Sequence, residues 1–235
     1  SKYLYLRYNK QLKEEYKSAF LIMNERINCE GIIAECVKNR GLDNEYTLYE
    51  VFNKLITKVF IVVPEANMKD KVIDELINVE KIQEKSVTYL DPNIKKKLNK
   101  ISYNRCAYIS DFYADSSFIN DILDNVNFKL KVDNSYVSCE HYLNKRSGNI
   151  YNIVHKDLNI LPNKHYHIGD NTYSDYEIPR SLGICANHYK NAPEERKRER
   201  LKRYFINREK GITEFVNEKT SKKGNIQGIL GSFSK

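Results

Sequence analysis

Apolar positions in the first hundred residues recur at the three-to-four spacing of a helix. Leu12, Tyr16, Phe20, Met23, Ile27, Ala34 and Val37 form one stripe, closed by Gly41 in a C-cap role. Thr47-Leu48-Tyr49-Glu50 reads as a capping box that opens a second helix, and Val72, Leu76, Val79 and Ile82 mark a third. Tyr3-Leu4-Tyr5-Leu6-Arg7 is apolar enough for a strand but lies close to the first helix. The first half of the chain is therefore predicted to be helices packing on helices.

After Tyr103 the pattern changes to short apolar runs alternating with amphipathic segments. Strands are predicted at Cys106 to Ile109, Tyr136-Val137, His165 to Ile168 and Ile184 to Ala186. Helices are predicted at Ser116 to Leu123 with a serine cap, at Asn149 to Leu158, and at Asp175 to Leu182, stopping at Gly183. Strand-then-helix repetition predicts an α/β fold, a Rossmann-like parallel sheet with crossover helices. A ligand site then belongs at the carboxyl ends of its strands.

Composition narrows the class. With 41% apolar and 30% charged residues in 235, the chain can bury a core. The longest apolar run, Val59 to Val63, stops at Pro64, far short of the roughly 18 residues of a membrane span. The five cysteines are widely spaced and contain no C-x-x-C, so they read as buried small hydrophobes in a reducing, cytoplasmic compartment rather than as disulfides or a zinc knuckle. The chain begins Ser1-Lys2-Tyr3, without methionine or a signal-peptide core, and a further upstream segment is expected. The net charge is +8. Residues 191–235 hold twelve basic and six acidic side chains and so carry most of the excess. Glu195 to Glu199 and Arg196 to Arg200 interleave opposite charges, which describes a solvated helix and tail better than a nucleic-acid interface.

The candidate chemistry gathers at strand ends. The first predicted strand runs into Ser110-Asp111, and the second into Ser138-Cys139-Glu140, followed by Lys145-Arg146-Ser147-Gly148. The third runs into Gly169-Asp170-Asn171, with Ser174-Asp175 beyond. In one parallel sheet these would bring a hydroxyl, a base and two carboxylates to one rim. Carboxylates five apart across a tight turn can share Mg²⁺, a lysine beside them would neutralise a phosphate, and a serine hydroxyl would donate to a phosphoryl oxygen. The plainer alternatives are that one of Asp170 and Asp175 caps a helix, that Ser110 merely ends a strand, and that Arg146 takes the place of Lys145. Asp111 and Asp115 read as loop-capping carboxylates. His165 and His167 alternate along a strand, but no third zinc ligand has suitable spacing. The eighteen tyrosines are spread along the chain and read as composition rather than a sugar-stacking surface.

On these residues the chain resembles the haloacid dehalogenase-like superfamily, and within it the predicted hydrolases found with bacterial polysaccharide and glycosyltransferase systems. The resemblance spans roughly Phe20 to Asn187. His167-Ile168-Gly169-Asp170-Asn171-Thr172-Tyr173-Ser174-Asp175 resembles the family's acidic, Mg²⁺-binding motif. Ile109-Ser110-Asp111-Phe112-Tyr113 is similar to the segment whose Ser or Thr holds the phosphoryl group, and Lys145-Arg146-Ser147-Gly148 to the lysine motif. The resemblance implies an Mg²⁺-dependent phosphatase for a small phosphorylated metabolite or sugar phosphate. It implies metal ligands Asp170 and Asp175, and catalytic or substrate-binding roles for Ser110, Lys145, Arg146, Asp170 and Asn171. It divides the chain into a helical cap at 1–102, an α/β core at 103–190 and a basic tail at 191–235. The family's nucleophile motif, D-x-D-x-T, does not occur. The resemblance therefore places the nucleophile strand before Ser1, or makes the chain a non-catalytic accessory module of a surface-polysaccharide assembly.

Overall fold

The computed structural model describes residues 1–128 and 131–190. The predicted basic helix and tail from residue 191 lie outside the described residues. Ser1–His188 forms one compact unit.

The helical half consists of α1 (Lys2–Tyr8), α2 (Ala19–Lys38), α3 (Leu48–Val59), α4 (Ala66–Val87) and α5 (Pro92–Leu98). Thr47 and Glu50 form the predicted capping box at the start of α3: the Glu50 amide donates to Thr47 Oγ1, and the Thr47 amide donates to Glu50 Oε2. Leu48, Val51, Phe52, Leu55, Ile56 and Val59 recur at three- and four-residue spacing and are all buried against α2 and α4. Helix α4 buries Val72 and Leu76 as predicted, while Ile82 is exposed.

One helical expectation is corrected. Helix α2 buries Ile22, Cys29 and Val37, whereas Phe20, Met23 and Ile27 of the predicted stripe are exposed. Phe20, Leu21, Ile22 and Met23 surround the first turn with apolar side chains, so periodicity alone does not choose the inward face. The tyrosine-rich segment 3–7 is helical, not extended, and buries Leu4 in the core shared with α3 and α4.

The second half contains β1 (Ala107–Ser110), α6 (Ser116–Asn125), β2 (Asn134–Val137), the single turn α7 (Ser138–His141) and α8 (Asn149–Leu158). It continues with β3 (Tyr166–Gly169), a π-helical turn at Thr172–Glu177, α9 (Ile178–Ser181) and β4 (Cys185–His188). The order agrees with the sequence reading, each strand being displaced by one or two residues. The cap of α6 is Asp115 rather than a serine: its carboxylate accepts from the Phe118 amide at 2.8 Å.

The four described strands pair in parallel, with Ser110 opposite Val137 and Gly169 opposite His188. In place of the single predicted sheet the described residues form two two-stranded sheets, β1-β2 and β3-β4. Each pair is linked by its own helical crossover, so a strand needs only its immediate successor to form a ladder. Tyr136, Ile150, Tyr151, Val154 and Ile184 make the core between them, with Ala107 and Ile109 packed against it. Helix α6 turns the other way: Phe118 and Ile122 join the core of the helical half. Strand β1 packs on this core through Ala107 and Ile109, β3 reaches it where His167 meets Tyr151, and the carboxyl ends of both strands supply the site.

Candidate functional site

Lys145 lies on the loop between α7 and α8, and three sets of bonds hold that loop. Asp111, just past β1, accepts the Lys145 amide at 2.9 Å through Oδ1. Asp43 accepts the Asn144 amide at 2.7 Å and the Ser147 hydroxyl, while Glu45 accepts from Asn144 Nδ2 at 3.1 Å and Ser138 Oγ at 2.9 Å. Tyr142 and Gly148, both at positive φ, mark the two ends of the loop. A side chain at position 148 would press on Leu182 Cδ1 at 3.2 Å, so the glycine serves both the backbone and the packing. With its backbone fixed, Lys145 extends inward.

Asp175 receives it. Lys145 Nζ lies 2.6 Å from Asp175 Oδ1, with only 12% and 4% of the two side chains exposed. His167 Nε2 lies 3.1 Å from the same oxygen, and the Asn171 amide donates to Asp175 Oδ2 at 3.1 Å. Burial alone would raise the Asp175 carboxyl. The His167 bond, the Lys145 charge and bond, and the Asn171 amide together hold it well below the ordinary carboxylate range.

Asp111 behaves differently. It keeps contact with solvent, yet protein atoms hem in its carboxyl. Desolvation raises it above its usual value, Asp175 adds to that rise, and the Lys145 amide, Lys145 and Arg146 oppose it. The two carboxylates thus differ in affinity for a proton, Asp175 meeting the Lys145 ammonium and Asp111 meeting its backbone amide.

The sequence-predicted residues separate as follows. Lys145 and Asp175 come together, and between Lys145 and Arg146 it is Lys145 that enters, Arg146 remaining exposed. Ser110 closes β1 at the same rim, half-buried, one residue before Asp111. Asp170 is exposed, and its carbonyl accepts from His188 Nε2 at 2.9 Å. Asn171, expected to bind substrate, uses Oδ1 to accept the Tyr173 and Ser174 amides and caps the π-helical turn. That engagement follows from its position before the turn, where short polar side chains satisfy free N–H groups.

The donor set also bears on Mg²⁺. Asp175 Oδ1 is shared by Lys145 and His167, and Oδ2 accepts the Asn171 amide. Among the described residues no group of three or more His, Cys, Asp or Glu side chains is placed to hold a metal. As arranged, these residues do not fit a hard dication, which needs free carboxylate oxygens; the positive charge of the site belongs to Lys145.

Sequence reasoning missed His167 and Tyr151. Tyr151, on α8, is fully buried and donates its hydroxyl proton to the Ser174 carbonyl at 2.8 Å, with His167 Nε2 3.2 Å away. By sequence His167 reads as half of a zinc pair that lacks a third ligand, or as a core-facing histidine. Its partner in that pair, His165, instead meets His155, with Nδ1 and Nε2 3.0 Å apart.

Burial, then the neighbouring His167 and His155, push His165 down from 6.5 to about 4. A histidine with a lowered folded pKa leaves the unfolded chain binding the extra proton between those values, so stability falls as pH falls from 6.5 towards 4. Denaturant titrations across that interval are expected to show this loss, and His165→Gln will reduce it. The Asp175 contribution persists to lower pH. It is fully present above the unfolded carboxylate value and is lost only as pH drops through the lower folded value.

Among the described residues no helix is long and apolar enough to cross a membrane. Neither protein-family models nor curated proteins give a match to the sequence. Among solved structures the chain is similar to a dehalogenase with an intermediate complex, at 12% identity over 77% of this chain and 75% of that one, TM-score 0.42. It is similar to a dehalogenase structure at 12% identity over 77% and 74%, TM-score 0.41.

Proposed function

We propose that this protein is a haloacid dehalogenase-like hydrolase whose site handles a small phosphorylated molecule. The observation that carries the reading is the meeting of Lys145, brought by one crossover loop, with Asp175, brought by the turn after β3, beside Ser110 and Asp111 at the end of β1. Parallel strand ends and the loops that follow them are where α/β folds bind ligands.

In this reading the Lys145 ammonium neutralises phosphoryl oxygens, held in place by Asp175 so that little reorganisation accompanies charge development. Ser110 offers a hydroxyl to the same group. Asp111, with its raised carboxyl, is the carboxylate of the pair better suited to hold a proton near the reacting atoms.

A second reading is favoured by a specific observation: the sequence has no D-x-D-x-T motif. The chain would then bind its phosphorylated ligand without turning it over, as an accessory part of a surface-polysaccharide assembly.

One screen separates the two. The protein is tested against a panel of sugar phosphates and small phosphate monoesters, with and without Mg²⁺, beside Lys145→Met and Asp175→Asn. Turnover reduced by two or more orders of magnitude in both variants supports the hydrolase, a loss typical of removing preorganised charge, on the order of 10²–10³. Saturable binding without turnover, lost in Lys145→Met, supports the accessory module. Turnover indifferent to both substitutions rejects the site.

A further inference from the structure

Strand β3 places side chains on alternate faces, so His167 and Gly169 share the face turned towards Asp175. Both make its seat. Gly169 leaves the room, since a Cβ there would lie 2.3 Å from Asp175 Cγ, and His167 supplies a bond to Oδ1.

The position of the His167 proton follows from its neighbours. The Ser174 carbonyl can only accept, so the Tyr151 hydroxyl proton is committed to it at 2.8 Å. The Tyr151 oxygen is left as an acceptor facing His167 Nε2 at 3.2 Å, and Asp175 Oδ1, the other neighbour of that nitrogen, is also an acceptor. Two acceptors meeting one ring nitrogen require that nitrogen to carry hydrogen. His167 is 7% exposed, Asp175 3% and Tyr151 fully buried, so water does not compete for these bonds.

We propose that His167 is a positioning residue: its Nε2–H, fixed by Tyr151, holds the Asp175 carboxylate in the orientation from which it binds the Lys145 ammonium. The role rests on the hydrolase reading only in naming Lys145 as the group that turnover uses. The physical link from Tyr151 through His167 and Asp175 to Lys145 is testable without any substrate.

The test reads the reactivity of Lys145. The full chain is treated with limiting acetic anhydride, peptides are mapped by mass spectrometry, and Lys145 is compared with the exposed Lys164 in the same molecule. In the unaltered protein Lys145, with 12% of its side chain exposed and its ammonium paired, is expected to be strongly protected. His167→Leu, similar in bulk but without a donor, is expected to reduce that protection about tenfold, the scale of one hydrogen bond to a charged group. His167→Gln, whose amide nitrogen reaches the same point, restores most of it. Tyr151→Phe, which leaves the ring in the core, gives a smaller loss in the same direction.

Protection unchanged in both His167→Leu and Tyr151→Phe overturns the proposal. So does failure of His167→Gln to recover protection while its melting temperature matches the unaltered protein. The functional reading fails separately, when Lys145→Met leaves turnover intact whatever the acylation pattern.

Discussion

Replacing Lys145 with methionine is expected to lower stability by about 3 kcal/mol, because the Asp175 carboxylate stays buried after its cation has gone. Removing one partner of a buried pair costs about 3–5 kcal/mol. The lower end applies here, since the His167 and Asn171 donors remain on Asp175. For a chain of this size that loss corresponds to a fall in melting temperature on the order of 10 °C. The double variant Lys145→Met/Asp175→Asn removes both charges and is expected to recover more than half of the loss, as substitution of both partners is far milder than substitution of one. Thermal and denaturant unfolding of the three proteins measure this. A single-variant cost of about 0.5 kcal/mol or less would mean that the pair is solvated like a surface ion pair.

Gly169→Ala is expected to be the more disruptive of the small substitutions in β3. The added methyl would meet Asp175 Cγ at 2.3 Å, Cβ at 2.5 Å and Oδ2 at 2.5 Å, and Asp175 cannot swing aside without leaving Lys145, His167 and the Asn171 amide together. Overpacking of this kind costs about 1–3 kcal/mol, and broken bonds to a buried carboxylate add to it. Turnover or ligand binding is expected to be lost along with stability. Gly31→Ala is the control: at mid-helix in α2 its Cβ meets nothing within 4 Å, so it will be neutral or stabilising by about 0.5–1 kcal/mol. Equal effects at the two positions would remove the steric argument for the Asp175 seat.

These expectations show how unevenly the site can be read from sequence. Lys145 and Asp175 were legible because loops after parallel strands collect at one rim, and α8 was legible over its whole length, Asn149–Leu158. Asp170 and Asp175 stand equal in the sequence, yet Asp170 is exposed and Asp175 is buried. Spacing along the chain does not show that the π-helical turn carries residue 175 back under β3. Asp111 reads as a loop cap, and it does accept a backbone amide, but that amide belongs to Lys145, 34 positions further on.

Local elements can be read directly from the chain: the Thr47–Glu50 capping box, the α3 face from Leu48 to Val59, and the alternation of short strands with helices after Ala107. Each is set by interactions within a few residues, such as side chain to backbone at a cap and side-chain spacing along a face. Tertiary structure alone decided which face of α2 turns inward, how the strands divide into two pairs, and which carboxylate meets the lysine. Where apolar residues surround a helix turn, or two acidic residues follow one strand, the local energies are nearly equal. The choice then falls to packing and to charge pairing between segments that lie 30 or more residues apart.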